Sequence, residues 1–165
     1  MLIKLEEINL KFVYDIVNAL NDIQIRENLR DLPYPYTEDH GNDFINSTLS
    51  SDNDFVYAII VDNEFAGCIS ACRQSNIHFR TAEIGYYVVP KFWNQGIATT
   101  ALKLLTNYIF ENTDIIRLYA EPFARNIASC KVLEKAGFTL EGTLKNNATK
   151  DGKIEDMKLY ALVKE

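Results

Sequence analysis

The spacing of apolar residues changes period several times along the chain, and each change marks an element. Residues 2–5 read as a short first strand. Leu10, Val13, Tyr14, Val17 and Leu20 then recur at helical spacing, which predicts a helix over 10–21. The run Leu32-Pro33-Tyr34-Pro35-Tyr36 cannot lie inside a helix, because each proline restricts its own backbone and that of the residue before it. Thr37, followed by Glu38 and Asp39, is a helix start: a capping hydroxyl, then two acids at the positive end of the dipole. That helix is expected to reach Ser47 or Leu49. From Phe55 the period shortens. The apolar runs 55–61 and 65–72 flank the turn-forming Asp62-Asn63-Glu64 and predict a hairpin. Residues 82–89 are apolar on both faces apart from Glu83, the pattern of a strand buried at the centre of a sheet.

Pro90 stops that strand, and Phe92-Trp93-Asn94-Gln95-Gly96 forms a loop. A helix follows, with Ile97, Ala101, Leu104, Leu105, Tyr108 and Ile109 as a wide apolar stripe. Residues 115–120 predict a strand ended by Pro122. Asn126 is placed to cap a helix whose inner face carries Ile127, Cys130 and Leu133, with Gly137 at its end. Segments 138–144 and 154–163 predict strands joined across a Lys150-Asp151-Gly152 turn. The architecture is mixed α and β in a single domain, 1–165, with a strand-helix-strand-helix unit over 82–137.

Composition narrows the function classes. The formal charge of −6, on 17 basic and 23 acidic residues, repels phosphate backbones at long range and disfavours a nucleic-acid role. Three cysteines, Cys68, Cys72 and Cys130, are odd in number and make no disulfide framework, which fits a reducing compartment. Lys4, Glu6, Glu7 and Lys11 interrupt the first apolar run, so no signal peptide is expected. No apolar stretch approaches the length of a membrane span. A cytoplasmic protein with no membrane partner is the expectation. His40 and His78 stand alone, without ligand spacing, so no metal site is expected.

The informative stretch runs from Glu83 to Leu105. Gly96 at the mouth of a helix lets the backbone approach a ligand, and the free amides from Gln95 to Thr99 form an anion site backed by the helix dipole. Two nucleotide motifs are excluded. A P-loop needs Lys and Ser/Thr after its last glycine, where this chain has Ile97 and Ala98. A dinucleotide fingerprint needs three spaced glycines at the first strand-helix turn.

Read together, AEIGYYVVPKFWNQGIATTAL, Asn126-Ile127-Ala128-Ser129 and Leu133-Glu134-Lys135-Ala136-Gly137-Phe138 resemble the GNAT superfamily of N-acetyltransferases. Pro33-Tyr34-Pro35-Tyr36-Thr37 and Gly137-Phe138…Glu141-Gly142 narrow the resemblance to its RimJ/RimL-like (ribosomal-protein-alanine acetyltransferase) branch. It runs in order from about residue 2 to 163. Two positions depart from the pattern: Trp93 stands where the superfamily has Gln or Arg, and Asn94 where the branch often has Gly.

The resemblance implies an α+β fold, a twisted mixed sheet of about seven strands with flanking helices. Two central parallel strands, 82–89 and 115–121, splay to admit acetyl-CoA as cosubstrate. It further implies that backbone groups of Val88 and Val89 pair with the pantetheine arm. Gln95, Gly96, Ile97, Ala98 and Thr99 would hold the pyrophosphate, and Asn126 would contact pantetheine while capping its helix. It implies Glu83 as base and Ser129 as the hydroxyl facing the CoA sulfur, because Leu133 occupies the place where many members carry an acidic Tyr.

Around that frame, Arg125, Lys131 and Lys135 are candidates for a CoA phosphate. Tyr34, Tyr36 and Tyr86 are candidates for the acceptor side, with Asp156 and Tyr160 behind them. The function expected is transfer of acetyl to a primary amine, on a protein amino terminus or a small molecule, by direct attack in a ternary complex. The alternative is a catalytically silent module that binds CoA or acyl-CoA to sense it or to scaffold a partner. Exposed terminal strands offer edges for a homodimer.

Overall fold

The computed structural model describes residues 1–165. The apolar runs become strands β1 (Ile3–Glu7), β2 (Asp54–Val61), β3 (Glu64–Arg73), β4 (Thr81–Val88), β5 (Arg117–Ala120), β6 (Thr139–Lys150) and β7 (Lys153–Val163). They form one sheet in the order β1-β2-β3-β4-β5-β7-β6, antiparallel except for the β4–β5 pair. The helices are α1 (Val13–Leu20), α2 (Ile23–Arg26), α3 (Glu38–Leu49), α4 (Ile97–Asn112) and α5 (Ile127–Lys135).

Both faces of the sheet are covered, which is why β2 reads as a continuous apolar run. Val56, Ala58 and Ile60 pack with Ile16, Leu20 and Ile45 beneath α1–α3. Ile59 and Val61 point the other way, into the core built with Leu102, Leu105, Ile109 and Leu133 of α4 and α5. The turns carry the left-handed backbone that their residues tolerate. Asp62 and Asn63 have φ of 48° and 69°, and Asp151 and Gly152 have 51° and 76°, the paired positive values of a tight hairpin.

Several boundaries differ from expectation. The first predicted helix splits into a single 3-10 turn, Leu10–Phe12, and α1; Leu10 and Tyr14 face solvent rather than the core. Helix α2 has four residues, too few to show a period. Leu104, Tyr108 and Ile127 are also largely exposed, and Leu102 takes the inward place in α4. The β6–β7 hairpin extends beyond the core, with a bulge between Leu144 and Ala148 where Asn146 has φ 52°. Thr37 caps α3 and His40 closes a reciprocal capping box. No helix is long and apolar enough to cross a membrane.

Candidate active site

Strands β4 and β5 pair only through Thr81↔Arg117, Ala82↔Leu118 and Glu83↔Tyr119. Beyond Glu83, β4 continues to Val88, whereas β5 stops at Ala120 with Pro122 close behind. The edge of β4 that faces β5 therefore loses its neighbour, and a cleft of about 1150 Å³ opens in the gap. Glu83, Tyr86 and Val88 line one wall; Glu121, Asn126 and Ser129 line the other. The position, at the carboxyl ends of diverging parallel strands, is where open α/β sheets bind ligands.

The loop after β4 folds as the site needs. Asn94 and Gly96 both take left-handed backbone, φ 60° and 73°. Asn is the non-glycine residue that tolerates this best, so the Asn94 departure leaves the turn intact. Gly96 caps α4 with no side chain bonded to the first turn, and the amides of Ile97, Ala98 and Thr99 find no acceptor within the chain. A Cβ built on Gly96 would meet no atom within 4 Å, so the space above the loop is open. Gln95, Gly96, Ile97, Ala98 and Thr99 all line the cleft, as do Lys131 and Lys135.

Three expected contacts take other partners. Val89 does not line the cleft: its amide donates to Ala66 O of β3 at 2.8 Å, and its side chain lies on the α1 side. Val88 does line it, but its carbonyl oxygen accepts the Trp93 indole N–H at 2.6 Å. Arg125 turns away from the phosphate side. Its guanidinium donates to Glu155 Oε1 at 3.0 Å, Asn28 Oδ1 at 2.8 Å and Glu27 O at 2.7 Å.

Glu83 is partly buried and forms an ion pair with Arg30, whose side chain is 86% exposed. The cation is Arg30 rather than its sequence neighbour Arg80, which instead donates to Asp114 O. Burial raises the Glu121 carboxyl above the usual carboxylate range; the negative charge of Glu83 adds to the rise and Arg30 opposes it. Tyr119 is likewise raised, first by burial and then by Glu83 and Glu121. Glu83 thus pairs with an exposed guanidinium, whose charge also acts on the nearby Glu121, at one end of the cleft.

On the opposite wall, Asn126 Oδ1 accepts from Ser129 N at 3.2 Å and caps α5. Ser129 Oγ lies 2.7 Å from the Tyr86 hydroxyl. Burial pushes that phenol up to about 12, against a lowering by Ser129, so it stays protonated at neutral pH. Tyr86 therefore lines the cleft with its hydroxyl against Ser129.

Of the other aromatic candidates, Tyr36 is buried and touches the cleft wall, with its hydroxyl donating to His40 O. Tyr34 is 75% exposed and lies outside the cleft, its ring under the Arg26 guanidinium. Tyr160 is buried, donating to Glu134 Oε1 at 2.8 Å, and Asp156 accepts from Asn146 N and Lys145 in the hairpin bulge. Neither lines the cleft. Arg30 and Glu121 are the site residues that pattern reading missed. Glu121 carried a signal, a lone acid at the carboxyl end of a strand; Arg30 carried none.

A seven-stranded mixed sheet opened between its two parallel strands, with a left-handed loop and a free helix start in the gap, defines an acetyltransferase fold. Residues 5–139 match the acetyltransferase (GNAT) domain family, and the chain belongs to it. It is 32% identical over 117 residues to the probable N-acetyltransferase YjcK of Bacillus subtilis strain 168, covering 70% of this chain and 65% of the relative. It is 31% identical over 108 residues to the ribosomal-protein-serine acetyltransferase of Escherichia coli K12, covering 66% and 60%. These matches span less than two thirds of the relatives' own length. Among solved structures, the ribosomal-protein-S5-alanine acetyltransferase of Vibrio fischeri superposes with a TM-score of 0.90 at 19% identity, covering 99% of this chain and 93% of that one. The spermidine N-acetyltransferase of Vibrio cholerae, solved with CoA and spermine, superposes at 0.88 and 20%, covering 98% and 95%.

Proposed function

We propose that the chain is a cytoplasmic, acetyl-CoA-dependent N-acetyltransferase that acetylates a primary amine by direct attack in a ternary complex. The observation that carries this reading is the presence, in one cleft, of the free amides at 97–99, the carboxylate of Glu83 and the hydroxyl of Ser129. The residues fit the cosubstrate. The α4 amides and the open space over Gly96 suit a pyrophosphate, Lys131 and Lys135 suit a further phosphate, and Asn126 with the β4 edge near Val88 suits an amide-bearing arm. Bound there, acetyl-CoA supplies a thioester as the acyl donor.

The chain's own groups would do the rest. Glu83 takes the proton from the attacking amine, directly or through a water. Ser129 donates a hydrogen bond toward the sulfur as negative charge gathers there. Glu83 and Glu121 favour an acceptor that arrives as an ammonium, and the exposed Arg30 can swing aside for it. Relatives named for ribosomal proteins and for spermidine, such as the spermidine N(1)-acetyltransferase of Escherichia coli K12 (30% identical over 88 residues, covering 53% of this chain and 47% of that one), support a protein α-amine or a polyamine. The outer strands β1 and β6 are the edges through which a homodimer would form.

Glu83→Gln keeps the shape and removes the base. Turnover should fall by about 10²-fold while acetyl-CoA affinity holds. Steady-state rates beside a binding titration check this, and unchanged turnover would remove Glu83 from the role.

A further inference from the structure

We infer that Tyr86 is a positioning residue for acyl transfer: its hydroxyl donates to Ser129 Oγ and thereby turns the serine's single proton into the cleft, toward the leaving sulfur. The inference rests on the proposed function, and it explains a contact that spans the gap. Tyr86 comes from β4 and Ser129 from the first turn of α5, 43 positions apart, and their oxygens are 2.7 Å apart. A serine at a helix start commonly caps backbone amides, but here Asn126 makes the cap. Ser129 Oγ is left with Tyr86 as its partner. The Ser129 carbonyl oxygen, 3.3 Å from the Tyr86 hydroxyl, is a second acceptor for the phenol's one proton, and the 2.7 Å contact to Oγ is the stronger of the two.

A serine hydroxyl has one proton to give. The phenol is the stronger acid and hence the better donor of the pair. When it donates, Ser129 Oγ accepts, and the serine proton has only the cleft to face. During transfer the N–C bond forms and the C–S bond breaks, with its electron pair passing to sulfur. The amine proton goes to Glu83. Tyr86 neither gains nor loses a proton, and the sulfur, steadied by Ser129, is protonated from solvent after release.

The test needs no known acceptor. CoA is bound to the full chain, and its thiol is titrated by ultraviolet thiolate absorbance in wild type, Tyr86→Phe, Ser129→Ala and the double variant. Phe keeps the ring and its packing. Each single variant should raise the thiol midpoint by about half to one pH unit, and the double variant should rise no further than Ser129→Ala. Affinity of Tyr86→Phe for CoA, read well below the thiol midpoint, should stay within about twofold of wild type. A midpoint unmoved in Tyr86→Phe but raised in Ser129→Ala overturns the positioning role alone. A midpoint unmoved in Ser129→Ala removes the serine from the sulfur and overturns both readings.

Discussion

Arg30 reaches Glu83 across 53 positions of the chain, and no spacing rule links the two. Glu83 itself was legible, because an acid alone in an apolar central strand demands a partner or a purpose. Its partner was not, because Arg30 sits in an irregular segment whose path is set by tertiary contacts. Lys150, only 8% exposed, reaches Asp31 beside it, and Arg125 holds Glu27 and Asn28. The charge cluster has a direct check. Arg30 is the group that opposes the raised Glu121 carboxyl, so Arg30→Ala should raise that carboxyl further. Carbon-detected NMR titration of Glu121 would read this, and a midpoint that fell or stood still would contradict the arrangement.

Strand β4 shows what an element can and cannot reveal from its residues. Its buried, two-faced pattern placed it at the centre of the sheet, and Pro90 marked its end. The point at which it parts from β5 is marked only on the partner, where Pro122 closes the strand, because separation depends on where the partner strand stops. The close approach of β3 to β4 was equally silent. A Cβ on Gly67 would lie 2.0 Å from the Tyr87 carbonyl oxygen, so no larger residue fits without parting the two strands. Gly67→Ala should destabilise the fold by about 2–4 kcal/mol, measured by urea unfolding. A loss below about 0.5 kcal/mol would mean the strands are free to shift. The same reasoning explains the elements misread. Helix α2 spans barely one hydrophobic period, too little to repeat a pattern, and the outer half of the β6–β7 hairpin is polar because it extends past the core it would otherwise bury.

At the scale of the whole molecule, the seven-strand order, the placing of three helices on one face and two on the other, and the gap beyond Glu83 converge on one cleft. The loop at 93–99, Asn126 and Ser129 were legible because each is a local solution to a local problem: a left-handed turn, a helix cap, a hydroxyl beside it. The end that holds Arg30, Glu83 and Glu121 was not, since it is assembled from the segment after α2, β4 and the residues after β5, and Tyr34 lies outside the cleft. The central claim is that this cleft takes acetyl-CoA on the Gly96 loop. Calorimetric titration of the purified chain with acetyl-CoA, beside Gly96→Val, tests it most directly. The valine would strain a backbone held at φ 73° and project into the open space where the pyrophosphate should lie. One-site binding by the wild type, lost in the variant, is the predicted result. A folded wild type that does not bind, or a variant that binds as well, would contradict the account.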